Sequence, residues 1–156
     1  MQIDDEKFKK LKESTRELYY STESVYCPFF GEQVFFTSDG YQHLFHKGQR
    51  NERLRTKEDQ YVRMKLFKLV PKLLRESKIV QEHQVKKTFI PVVHNHRDEQ
   101  VLRDVNYWGF LGIIDGKRIK VVVRKIGNGK LCYRSVVPKW KHGNQILNYV
   151  KDLDNE

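Results

Sequence analysis

Residues 107–137, YWGFLGIIDGKRIKVVVRKIGNGKLCYRSVV, decide the fold. Three β-rich runs are separated here by two turn signals, Asp115-Gly116 and Asn128-Gly129. Asp-Gly and Asn-Gly supply the positive φ angles of two-residue hairpin loops, and apolar alternation on both flanks makes each a hairpin signal. The spacing predicts an antiparallel meander over 107–114, 117–126 and 130–137. With Asp115-Gly116 as the loop, Ile114 pairs with Lys117. Trp108, Phe110 and Gly112 then share a face with Ile119, Val121 and Val123. That face is the expected core. The other carries Tyr107, Gly109, Leu111, Lys120, Val122 and Arg124, and it is expected to stay open for a polyanion.

The last hairpin has two registers. A two-residue Asn128-Gly129 loop sets Arg124 opposite Tyr133 and brings Ser135 onto the cationic face. A three-residue Gly127-Asn128-Gly129 loop sets Arg124 opposite Cys132 and brings Arg134 there instead. Asn-Gly is the best type I′ pair, which favours the first.

Upstream, Asp4 or Asp5 caps a helix over 5–20 with Phe8, Leu11, Thr15, Leu18 and Tyr19 on one stripe. Residues 21–31 read as a loop around Pro28 and Gly31, and 32–37 as a short strand closed by Ser38-Asp39-Gly40. A long basic helix is expected over 56–76, capped at Thr56 and kinked or split near Phe67 by Pro71. Strand-like pieces follow at 78–82 and 88–93, then a polar loop over 94–106. A short helix is expected over 144–152. The order implies one α+β domain over 1–156, with helices packed on one face of a twisted, mainly antiparallel sheet. It comprises an N-terminal helix and loop (1–31), a core (32–141) and a tail (142–156).

The formal charge is +10, and residues 115–142 hold nine Lys/Arg against one acid. Clustered positive charge is the footprint of a nucleic-acid binder. Cys27 and Cys132 form no CxxC pattern, so free thiols in a reducing compartment are expected. With no secretory segment and no spanning apolar run, the expectation is a cytoplasmic protein encoded by a bacterium or phage. No P-loop, GxSxG elbow or zinc spacing is present, and no metal or cofactor is expected.

RNA cleavage without metal needs a base for the 2′-OH, an acid for the leaving oxygen and fixed cations for the phosphate. Histidine suits the first two roles at neutral pH, and His43 is the candidate, a packed imidazole being the competing reading. Arg124 and Lys120 share the expected open face and suit phosphate.

The segments FFTSDGYQHLFHKGQR (35–50), LVPKLLRE (69–76), YWGFLGIIDGKRIKVVVRKIGNGK (107–130) and SVVPKW (135–140) resemble a family. They look like the phage- and mobile-element-borne relatives of barnase, EndoU, colicin D and RelE, over roughly 33–141. The resemblance implies a metal-independent ribonuclease-type domain, with helices on an antiparallel sheet and the groove on the open face. It carries catalytic roles onto His43, Arg124 and Ser135, and no glutamate matches the carboxylate base of barnase-type members. Lys120, Tyr133, Arg134 and Arg50 are the expected RNA and phosphate contacts. The implied function is an endoribonuclease, a toxin or effector with a cognate antitoxin or immunity protein, and no membrane partner. The rival expectation is a nucleic-acid- or protein-binding module that kept the fold without the chemistry.

Overall fold

A computed structural model of the chain describes residues 2–138 and 153. Within them α1 (Asp5–Thr22), α2 (Ser38–Gln42), α3 (Lys57–Phe67) and α4 (Val70–Glu76) accompany eight strands. Six strands form one sheet: β1 (Ser24–Cys27), β2 (Glu32–Phe35), β5 (Glu82–His94), β6 (Arg97–Ile114), β7 (Lys117–Ile126) and β8 (Cys132–Pro138). Their order is β1-β2-β8-β7-β6-β5, antiparallel except where β2 meets β8. A two-stranded ribbon, β3 (His46–Lys47) with β4 (Arg53–Leu54), stands apart. The fold is α+β with a mainly antiparallel sheet. No helix among the described residues is long and apolar enough to cross a membrane. The helix expected over 144–152 lies outside the described residues.

The helices follow their local signals. Asp4 accepts from the amide of Glu6 at the start of α1, and Thr56 accepts from the amide of Asp59 at the start of α3. The long helix splits into α3 and α4, with Pro71 in the first turn of α4, where its missing N–H costs nothing. The first β6–β7 turn is as expected: Ile114 pairs with Lys117, and Asp115 and Gly116 sit at φ 50° and 76°. Phe110, Ile119, Val121 and Val123 are buried beneath the helices with Phe67, Leu73 and Leu74. Each such side chain contributes about 1.5–3 kcal/mol by leaving water.

Three expectations change. Residues 24–27 of the expected loop are a strand, paired antiparallel with 32–35. The expected polar loop over 94–106 is mostly strand. Asn95 and His96, at φ 51° and 62°, make a two-residue turn, and β5 and β6 pair continuously from Glu82–Gly109 to His94–Arg97. Asn and His enter the left-handed region more readily than most residues, and this turn needs two such positions.

The third change is the last hairpin, where both registers occur. Arg124 pairs with Cys132 and Val123 with Tyr133, as in the three-residue register; Val122 then pairs with Ser135, as in the two-residue one. A β-bulge at Arg134 takes up the difference. The turn is not type I′ at Asn128-Gly129: Gly127 takes the positive φ, 54°, and the Gly129 amide donates to the Ile126 carbonyl.

Candidate functional site

The face expected to stay open is largely covered. Tyr107, Lys120 and Val122 are buried, and Leu153 packs against Val105, Tyr107 and Val122. Lys120 lies 3.7 Å from Glu82, so its cation is matched inside the fold and is not presented to a phosphate. Tyr133 is no substrate contact either. It is fully buried among Tyr19, Phe36 and Phe67, and that burial raises its phenol.

His43, Arg124, Arg134 and Ser135 do come together, through partners that sequence reasoning missed. Asp39, expected only in a turn, accepts 2.7 Å bonds on one carboxylate oxygen from both Arg124 and Arg134. Its other oxygen accepts from Asn51 Nδ2 at 3.1 Å. That bond fixes the amide, so Asn51 Oδ1 faces His43 Nδ1 at 2.7 Å and the imidazole carries its proton there. His43 Nε2 is then a lone pair, and Arg55 donates to it at 3.2 Å. Arg55 also holds Asp59 at 3.1 Å, Asp59 holds Arg63 at 2.8 Å, and Arg63 donates to Ser135 Oγ at 3.0 Å. One hydrogen-bonded chain thus runs from Arg124 to Ser135.

Its chemistry is that of a satisfied interior network. His43 is buried, both ring nitrogens are engaged, and burial with Arg134 beside it pulls its pKa down to about 2. The imidazole is neutral and turned inward. Burial alone would raise the Asp59 carboxyl, but Arg63 and Arg55 outweigh it and hold it below the usual range. Ser135 is buried too, its hydroxyl accepting from Arg63. Arg134 spends both terminal nitrogens on Asp39 and on the carbonyls of Gly48 and Gln49. Burial lowers its pKa, and its Nε finds no partner among the described residues.

The Arg124 end of the chain reaches a surface recess, a cleft of about 270 Å³. Arg50, Arg124, Thr88, Ile90, Pro91 and Ile126 are among its lining residues, and no histidine lines it among the described residues. Pockets for whole small ligands run from about 300 to 1,000 Å³, so this one suits a single unit of a longer chain. Arg124 uses Nη2 on Asp39 and is partly exposed; Arg50 is exposed, with weak bonds to the Phe89 carbonyl and Gln100. Among the described residues, no group of three or more His, Cys, Asp or Glu side chains could hold a metal ion.

The available sequence signal for the missed residues was the turn chemistry of Gly48 and Asn51, whose φ values are 98° and 56°. That turn delivers Asn51 to both Asp39 and His43. Comparison with family models, curated proteins and solved structures finds no match for this chain.

Proposed function

We propose that the chain is a non-catalytic RNA-binding module that grips single-stranded RNA in the Arg50–Arg124 cleft. The observation that carries this is the contrast between the two ends of the polar chain. The cationic end opens on the cleft, while the imidazole that could move a proton is sealed inside. Arginine's fork suits a phosphate, and Ile90, Pro91 and Ile126 offer an apolar wall to an unpaired base. A-form duplexes hide their base edges in a deep groove, so single strands fit this cleft better. The α+β architecture of the barnase, EndoU, colicin D and RelE group would then be retained as a scaffold.

A metal-independent ribonuclease is the second reading. It is favoured by one observation: His43, Arg124 and Ser135 belong to the same hydrogen-bonded chain. A toxin role and a cognate antitoxin or immunity protein go with that reading. Fluorescence anisotropy with a labelled RNA oligomer, followed by gels of the same mixture in EDTA, separates the two. Salt-sensitive binding with intact RNA is expected. Cleavage in EDTA that His43→Ala abolishes would transfer the function to the ribonuclease reading, and absence of binding would remove both.

A further inference from the structure

We infer that the β5–β6 arm is a self-association surface through which two copies of this chain dimerise. Phe89 also lines the RNA cleft, but the inference does not rest on the RNA reading.

The sheet outruns its helices. Phe110 and Trp108 lie under the helix and loop layer, but the same face continues along β5 and β6 with no helix over it among the described residues. Directly opposed residues share a face, so Val85 and Asn106, Lys87 and Asp104, Phe89 and Leu102, and Val93 and Asp98 are all on it. Val85, Phe89, Val93 and Leu102 are 55%, 59%, 72% and 48% exposed. Four large apolar side chains on one face of one hairpin are a patch, unlike scattered surface leucines.

The occupant follows from spacing and charge. Val85 and Val93 stand four residues to either side of Phe89, so the stripe reads the same in both directions. Two arms laid face to face and antiparallel put Phe89 on the partner's Phe89, Leu102 on the partner's Leu102 and Val85 on the partner's Val93. The antiparallel sense also keeps apart the two helix layers, which occupy this same face nearer the body. Residues 82–104 hold four Lys/Arg and four acids, so the arm is neutral in a chain of charge +10. Lys87 lies 3.7 Å from Asp104, so the two charges that flank Phe89 and Leu102 offset each other. A neutral, apolar stripe suits a second copy better than it suits a polyanion.

The backbone edge is guarded, so the face is the contact. Pro91 pairs with Gln100 without an N–H, so odd-numbered residues of β5 turn their backbone groups outward, away from β6. Pro91 removes one outward donor, and Arg50 donates to the outward carbonyl of Phe89 at 3.3 Å.

Sedimentation velocity of the full chain over low to high micromolar concentrations, without RNA, tests this. A monomer–dimer equilibrium is expected. Phe89→Asp should weaken it about 30-fold or more, the effect of removing a central apolar anchor, and Leu102→Ser should weaken it independently. Val92→Asp, on the opposite face of the arm, should leave it unchanged. Circular dichroism melts check that each variant folds. A parent chain monomeric throughout, or a folded Phe89→Asp and Leu102→Ser that dimerise like the parent, overturns the inference.

Discussion

Asn51 Oδ1 lies 2.7 Å from His43 Nδ1, and this contact decides which ring nitrogen carries the proton. The amide cannot turn round, because its nitrogen faces the Asp39 carboxylate, which only accepts. A single asparagine in a left-handed turn therefore fixes the tautomer of a buried histidine and ties it to the carboxylate shared by two arginines.

Replacing Asn51 should cost stability even where backbone strain is relieved. Asn51→Gly accepts the native φ of 56° without a Cβ clash, so its loss reports the hydrogen bonds. It leaves the His43 N–H and one Asp39 oxygen short of a partner, which costs about 1–3 kcal/mol. Urea denaturation at neutral pH measures it, and a gain in stability would show that the network contributes nothing.

Acid should destabilise the fold through His43 well above the carboxylate range. Its folded pKa is depressed to about 2 from an unfolded value of 6.5. Between those values the unfolded chain binds the extra proton and the folded one does not. The His43 contribution is thus fully present above pH 6.5 and falls as pH drops below it. One such group gives a slope of about 1.4 kcal/mol per pH unit. Unfolding free energies should stay level from pH 8 to about 6.5 and then fall toward pH 5 with about this slope in the parent and a shallower one in His43→Gln. Parallel curves would mean that His43 titrates alike in both states.

The fold was legible wherever the signal was local. The Asp115-Gly116 turn, the caps at Asp4 and Thr56 and the helix break at Pro71 each depend on a few neighbouring residues. The strand over 97–106 was missed because its largely polar, exposed residues lack apolar alternation, and Asn95-His96 is a weaker turn signal than Asn-Gly. Membership of the polar network was legible only in part. His43, Arg124, Arg134 and Ser135 were identified by residue type, yet their burial depends on partners distant in sequence. Asp39 meets Arg134 across 95 residues, and Arg63 meets Ser135 across 72. No periodicity encodes such pairings. The bulge at Arg134, which mixes two registers, was equally outside the reach of a turn rule that assumes one.

Gly40→Ala should be among the costlier small substitutions. A Cβ there would stand 2.7 Å from the Tyr133 backbone carbonyl and 2.5 Å from the Tyr19 hydroxyl, so α2 must move off β8. Overpacking of this kind costs about 1–3 kcal/mol. Because α2 carries Asp39, which holds Arg124, RNA affinity should also shift in the folded fraction. Thermal melts and anisotropy on one preparation test both, and an unchanged melting temperature would contradict the packing described.

Arg124 should contribute to RNA binding as a phosphate contact. Single-stranded binding loses about 0.7 in log–log salt slope for each phosphate contact removed. Arg124→Gln should lower the slope by about that much, while Arg124→Lys, which keeps the charge, should keep the slope and lose affinity through the missing fork. Titrations across a salt series decide it. A slope unaffected by Arg124→Gln would place the RNA elsewhere.

Asp39→Asn should move stability and affinity in opposite directions. Arg134 is buried and relies on this carboxylate, whereas Asp39 itself is 41% exposed at the cleft. The loss therefore falls between the limits for surface and buried ion pairs, at about 2 kcal/mol. At the cleft, the same change removes a negative charge beside the RNA phosphate and frees Arg124 Nη2. In water-like screening, one charge at close range is worth about 1 kcal/mol, so RNA should bind roughly five-fold tighter. Denaturation and anisotropy on the one variant test the pair of signs. A weaker-binding Asp39→Asn that keeps the parent fold would show that the carboxylate orients Arg124 for the phosphate rather than competing with it.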